Sequence, residues 1–297
     1  MTKSVTMILT AAIVAFAAAQ PTLAADRLYA CGDDQIREYR VEGGAATETW
    51  RWRAADAADL PEAYRLKLLR HLDDCKPVDG GRSILATAST GGVVLIDRET
   101  GHVSFHAKTP MAHSADLLPG GWIAVALSLH AEGNRLEIYG RDRNEEAPLL
   151  DLPLPSGHGA VWDQTRARLF VLSHDLIQAY KVEGTDATPT LTETARWTLP
   201  GRHDGHDLSS RPGGGYFVTT DDGVWTFDPD AGTFLPFSAL NPKLQVKAVS
   251  ALGDRLAWVQ AEESWWANGF TVAGADGSEQ KRIPIEGMHL YKVRWIQ

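Results

Sequence analysis

Six short apolar runs recur along the chain: Arg27–Cys31, Ser83–Ser89, Trp122–Ser128, Arg168–Ser173, Gly215–Thr220 and Arg255–Gln260. Each has the length of a strand, is rich in strand-forming residues and is bounded by turn residues. Tight turns precede most of them, at Asp79-Gly-Gly81, Pro119-Gly-Gly121, Pro212-Gly-Gly-Gly215 and Gly253-Asp254. Another strand candidate follows each run, at 35–41, 92–97, 135–140, 176–182, 223–228 and 269–274, and a more polar one comes next, as at 47–52, 102–106 and 233–237. A further candidate precedes each run after the first, at 75–78, 115–118, 160–163, 207–210 and 248–252. Four antiparallel strands returning every ~40–48 residues match the usual blade period of about 40–45. The pattern predicts an all-β chain folded as a six-bladed β-propeller.

The chain enters this pattern at a blade's second strand, and residues 290–296 are left over as a first strand without partners. Pairing them with Arg27–Cys31 completes the sixth blade and covers edges that would otherwise invite association. One segment breaks the strand pattern. Leu60–Arg70 has an early proline, a glutamate beside it and apolar residues at helical spacing, which predicts a short helix between blades.

Antiparallel order then decides which loops share a face. Loops from fourth to first strands, and from second to third, fall on one side of the disc, and first strands line the channel. Aligning the repeats on their turn glycines puts Asp73, His113, His158, His206, Lys247 and His289 at equivalent channel entrances. Four of the chain's 10 histidines on six equivalent positions is a concentration that chance explains poorly. Loops on the same face add Asp33 and Asp34, His130, His174, Asp221 and Asp222, and the segment Glu262–Asn268 with Trp265 and Trp266. His71 and His203 flank the entrances. A histidine opening a strand also serves packing, by bonding a neighbouring carbonyl. Paired tryptophans serve equally as cover for a channel mouth or as a platform for a sugar ring.

Residues 1–24 carry one lysine, an apolar run to Ala19 and small residues at Thr22 and Ala24, the pattern of a cleaved signal peptide. The run is too short to span a bilayer, which takes about 20 apolar residues. The rest, 25–297, holds no linker or low-complexity stretch and is read as one domain of a periplasmic or secreted protein. A net charge of −9 gives no basic footprint for nucleic acid. Cys31 and Cys75 are the two cysteines, and in an oxidising compartment an even pair favours a bridge over two buried thiols.

Neutral imidazoles around one channel suit a divalent transition metal such as manganese or zinc, with His113, His158, His206 and His289 as ligands. Lys247, His206 and His113 are the candidates for acid–base catalysis. Asp73, His130, His174, Trp265 and Trp266 are candidates for holding a ligand. No phosphate-binding glycine loop, nucleophile elbow or Cys-x-x-Cys occurs.

Histidines opening inner strands, as in His113-Ser-Ala-Asp-Leu-Leu-Pro-Gly-Gly-Trp122 and His206-Asp-Leu-Ser209, resemble secreted bacterial propellers of a family of unknown function over residues 26–297. The same short motifs are similar to oligogalacturonate lyases and arylsulfate sulfotransferases, propellers that use histidines at the channel mouth. The lyase resemblance implies a manganese site and a basic residue that abstracts the proton beside a uronate carboxylate. The expectation is an exported carbohydrate-active propeller acting on an acidic oligosaccharide. A binding propeller without catalysis, a lactonase or other hydrolase, and a sulfotransferase-like enzyme are the alternatives.

Overall fold

In a computed structural model of the protein, residues 26–201 and 204–296 are described; the expected signal peptide and His203 lie outside them. Six four-stranded antiparallel sheets form the blades of a propeller. The first blade runs outward through Leu290–Trp295, Arg27–Gly32, Gln35–Glu42 and Ala45–Arg53. In the other five, the innermost strands are Leu72–Val78, Ala112–Leu118, Gly159–Asp163, Asp207–Ser210 and Val246–Leu252. The six apolar runs are the second strands. They pack into six hydrophobic clusters, most of them between neighbouring blades, as where Tyr29 and Ile36 meet Ile84 and Val94.

Closure occurs where the sequence pattern placed it. Leu28 pairs with Trp295, Tyr29 with Arg294, Ala30 with Val293 and Cys31 with Lys292. The register then slips, Gly32 facing Leu290, so that Tyr291 is left as an extra residue. Gly32 is required at this seam, because a Cβ there would collide with the His289 carbonyl oxygen. A disulfide joins Cys31 to Cys75 with Cα atoms 6.0 Å apart, tying the first blade to the innermost strand of the second. Closing a 44-residue interval is worth about 4 kcal/mol in the chain-entropy account.

The expected helix is present in shortened form. A 3-10 turn spans Ala54–Asp56 and a π-helical turn spans Tyr64–Leu68. Leu60, Tyr64 and Leu69 bury against the cluster that contains both cysteines, so this connection is packed between the first two blades. Among the described residues no helix is long and apolar enough to cross a membrane.

Candidate active site at one mouth of the channel

Each innermost strand opens with one residue out of step with its neighbour. Asp73, His113 and Lys247 are bulged from the ladder in the second, third and sixth blades. His158 and His206 precede their strands by one residue, each donating its backbone N–H, to Leu172 and Thr219 respectively. A bulge re-aims a side chain that regular pleating would direct into the sheet packing. In the first blade the bulged residue is Tyr291. These six side chains line one cavity of about 450 Å³, together with Ser89, Thr90, Leu129, Asp204, Trp265 and Trp266 among others.

Three of the four predicted histidines therefore converge. The rings of His113 and His158 lie 4.4 Å apart between centroids, and those of His158 and His206 lie 5.7 Å apart. His289 does not join them. It is exposed, bonded through its backbone N–H and Nδ1 to Asp33, and is not among the residues lining the cavity. The sixth ring position belongs to Tyr291, two residues later. The repeats were aligned on turn glycines, and the strand Leu290–Trp295 is followed by none. His130 and His174 are also exposed and outside the lining, His130 accepting from the Glu132 N–H and His174 lying 3.7 Å from Asp204.

The tautomers of two histidines follow from geometry. His113 Nδ1 is 2.9 Å from the Met111 carbonyl oxygen, and His158 Nδ1 is 2.9 Å from that of Ser156. A carbonyl only accepts, so both Nδ1 atoms carry the proton and both Nε2 atoms keep a lone pair. No protein group bonds either Nε2 among the described residues. Burial holds His113 neutral, its pKa lowered to about 3, and lowers that of His158 well below the usual histidine range. The pair thus offers hydrogen-bond acceptors or metal ligands.

His206 belongs to a relay. Its Nε2 lies 2.7 Å from Asp221 Oδ1 and 3.0 Å from Lys247 Nζ. Gln245 completes a cycle, its amide donating to Asp221 Oδ1 at 2.7 Å while its Oε1 accepts from Lys247 at 2.8 Å. Burial lowers Lys247 to about 8, and burial followed by the Lys247 charge lowers His206. The lysine ammonium is also 5.5 Å from the centre of the Trp265 ring, which is 60% exposed on the rim. Trp266 packs edge-on against Tyr291 at 5.6 Å.

Two groups supply protons rather than accept them. Burial pushes Asp73 up to about 8, although its Oδ2 accepts from the Ser89 N–H, so the carboxyl is largely protonated at neutral pH. Burial also raises Tyr291 well above the usual tyrosine range.

Beyond the residues that line the cavity, the channel axis is filled by an ionic hub. Arg294 donates to Asp74 at 2.8 and 2.9 Å and to Asp207 at 2.6 and 2.8 Å. Lys292 contacts Asp207 at 3.0 Å and the carbonyl oxygens of His113 and His158 at 3.3 and 3.5 Å. Residues from the first to the fifth blades meet here, so the channel is plugged at mid-depth. Sequence reasoning missed this hub and Tyr291. The signal was available in the inner strands, where the ring residue is followed at the first and third places by polar groups: Asp74 and Lys76, Ser114 and Asp116, Asp207 and Ser209, Lys292 and Arg294.

A family described as a family of unknown function (DUF6528) matches residues 16–297. The chain belongs to this family. Nothing matches among curated proteins. Among solved structures, a chain of a nidogen/laminin complex is similar at a TM-score of 0.61 with 14% identity, over 92% of this chain and 99% of that one. A protein of unknown function from Bacteroides caccae is similar at 0.60 with 11% identity, over 92% and 100%. A "putative 6-phosphogluconolactonase" from Bacteroides uniformis is similar at 0.60 with 12% identity, over 91% and 99%. At these identities the likeness concerns the propeller fold.

Proposed function

We propose that this member of the DUF6528 family is an exported enzyme that moves protons on an acidic saccharide, as a lyase. The supporting observation is the buried Lys247 amine, lowered to about 8 and set between the His206–Asp221 pair and the Trp265 ring at the cavity edge. A lysine tuned close to neutrality is a general base, since the best catalytic pKa lies near the working pH. Neutral Lys247 takes the proton from the carbon beside the uronate carboxylate. The electron pair forms the carbon–carbon double bond as the glycosidic C–O bond breaks, and the leaving oxygen takes the proton back from the Lys247 ammonium. Protonated Asp73 and Tyr291 donate to the carboxylate as it gains enolate character, the role of preorganised donors. Trp265 and Trp266 offer apolar faces to the sugar ring.

The Nε2 atoms of His113 and His158 accept from sugar hydroxyls in this scheme. A manganese or zinc ion on the same atoms would add charge over the carboxylate, and elemental analysis of the purified protein measures it. Among the described residues no group of three or more His, Cys, Asp or Glu side chains is arranged to hold a metal ion.

Incubation with uronate oligosaccharides should release an unsaturated product absorbing in the ultraviolet. The kcat/KM profile should be bell-shaped around pH 8, rising as Lys247 loses its proton and falling as Asp73 does. Lys247→Met should lower kcat by about 100-fold or more, the usual range for a lost acid–base group. Saturable saccharide binding without a new absorbance would instead mark a binding propeller, the reading that the exposed Trp265 ring favours.

A further inference from the structure

The opposite end of the channel opens into a separate and larger cavity of about 540 Å³, which shares no lining residue with the histidine cavity. Its walls are apolar in large part, with Leu117, Val161, Trp162, Leu208 and Trp295. Three charged side chains lie deep in it: Lys76, Asp116 and Arg294. Two of them are already satisfied. Arg294 is held by both Asp74 and Asp207. Asp116 accepts the backbone N–H groups of Leu117 at 2.8 Å and Trp162 at 2.9 Å.

Lys76 is different. It is 91% buried and its Nζ donates to the Ala160 carbonyl oxygen. Among the described residues no carboxylate oxygen comes within 4.0 Å of it, whereas Lys292 on the same hub has two such partners. An ammonium has three donors, and a buried charge is normally paired. Two of the Lys76 donors are therefore available beside an apolar chamber. Burial lowers the pKa of this lysine, and the charges of Asp116 and Asp74, neither in contact with its ammonium, offset that only in part.

We propose that this second mouth is a binding site for a small organic anion, a carboxylate carried on an apolar body, with Lys76 as its counter-charge and Trp162 as the wall for the body. The site is independent of the chemistry at the other mouth. The apolar walls exclude a heavily hydrated inorganic anion in favour of one that brings its own hydrophobic surface.

Titration calorimetry with phenylacetate, against its neutral isostere phenylacetamide, tests the assignment on the full mature protein. Phenylacetate should bind with a Kd of about 1 mM or tighter. Lys76→Met should weaken it ~10-fold or more, the loss of about 1.4 kcal/mol of charge-assisted bonding. Trp162→Leu, a change at a partly exposed position, should weaken both phenylacetate and any residual amide binding and stands in if the lysine variant does not fold. Amide shifts in NMR spectra should cluster at Leu117, Trp162 and Ser209. The proposal is overturned if phenylacetate gives no binding, if the amide binds equally well, if Lys76→Met leaves affinity unchanged, or if the shifts cluster around His113 and His158.

Discussion

Replacing Arg294 by methionine probes the charged hub most directly. The hub holds three cations, Lys76, Lys292 and Arg294, against three carboxylates, Asp74, Asp116 and Asp207, and Arg294 alone makes four bonds of 2.6–2.9 Å. Methionine keeps most of the volume but leaves Asp74 and Asp207 with one shared cation, Lys292, at 3.8 and 3.0 Å. Both carboxylates are buried, and the positive neighbours hold their pKa values below the ordinary range despite that burial. Removing one partner from a buried ionic set costs about 3–5 kcal/mol, because the stranded charge loses its compensation. Against a typical total of about 5–15 kcal/mol this is a large share. Urea unfolding at pH 7 should show the midpoint falling at unchanged slope. The informative comparison is Asp74→Asn with Arg294→Met. This pair removes one charge of each sign and leaves Lys292 with Asp207, so it should be less destabilised than the sum of the two single variants. The coupling should be about 1–3 kcal/mol, as for residues sharing a network. A single variant that loses less than ~1 kcal/mol, or a strictly additive pair, would refute the hub as an energetic unit.

Two further outcomes follow from the seam and the histidines. Deleting residues after Gly287 removes the innermost strand of the first blade, with Tyr291, Lys292 and Arg294, so the product should be insoluble or strongly destabilised; a soluble truncation with unchanged Tm would contradict closure as described. The buried histidines His113, His158 and His206 all have lowered pKa values, so the unfolded chain binds more protons than the folded one once pH drops below the ordinary histidine value of 6.5. Stability should therefore fall as pH drops from 6.5 towards about 3, and His113→Asn should flatten that slope in urea midpoints measured across the range.

Blade number, closure and the face that gathers the candidate residues were legible because each rests on short-range pattern: strand length, glycine turns and antiparallel order. The site was legible only as far as that pattern extended. Asp73, His113, His206 and Lys247 each stand at the start of an inner strand that a glycine turn follows, which fixed their register, while the strand after His158 ends in the glycine-free turn 164–167. Tyr291 lies at the start of a strand with no such turn, and a one-residue bulge further hides its place. His289 was two residues out for that reason. His130 and His174 lie on loops whose course depends on local contacts, a turn at Glu132 and a carboxylate at Asp204, which no periodicity encodes. The hub escaped notice because charged residues in inner strands read as interruptions of an apolar run. Their meaning appears when Asp74, Asp207 and Arg294 meet across the axis.

The seam of a closed ring is the place where it can come apart one strand at a time. Here the strand Leu290–Trp295 is fully buried and hydrogen-bonded to Arg27–Gly32, and it also anchors the axis through Lys292 and Arg294. Peeling it away would expose two cations and two carboxylates along with the hydrophobic cluster around Trp295. Such an opening approaches the cost of unfolding the whole disc, so the seam belongs to the slowest-exchanging part of the molecule rather than to its fraying edges. A protease that acts on transiently opened chains would then find its first cleavage sites in outer strands and loops, and the disc would persist as a closed unit until it unfolds as one.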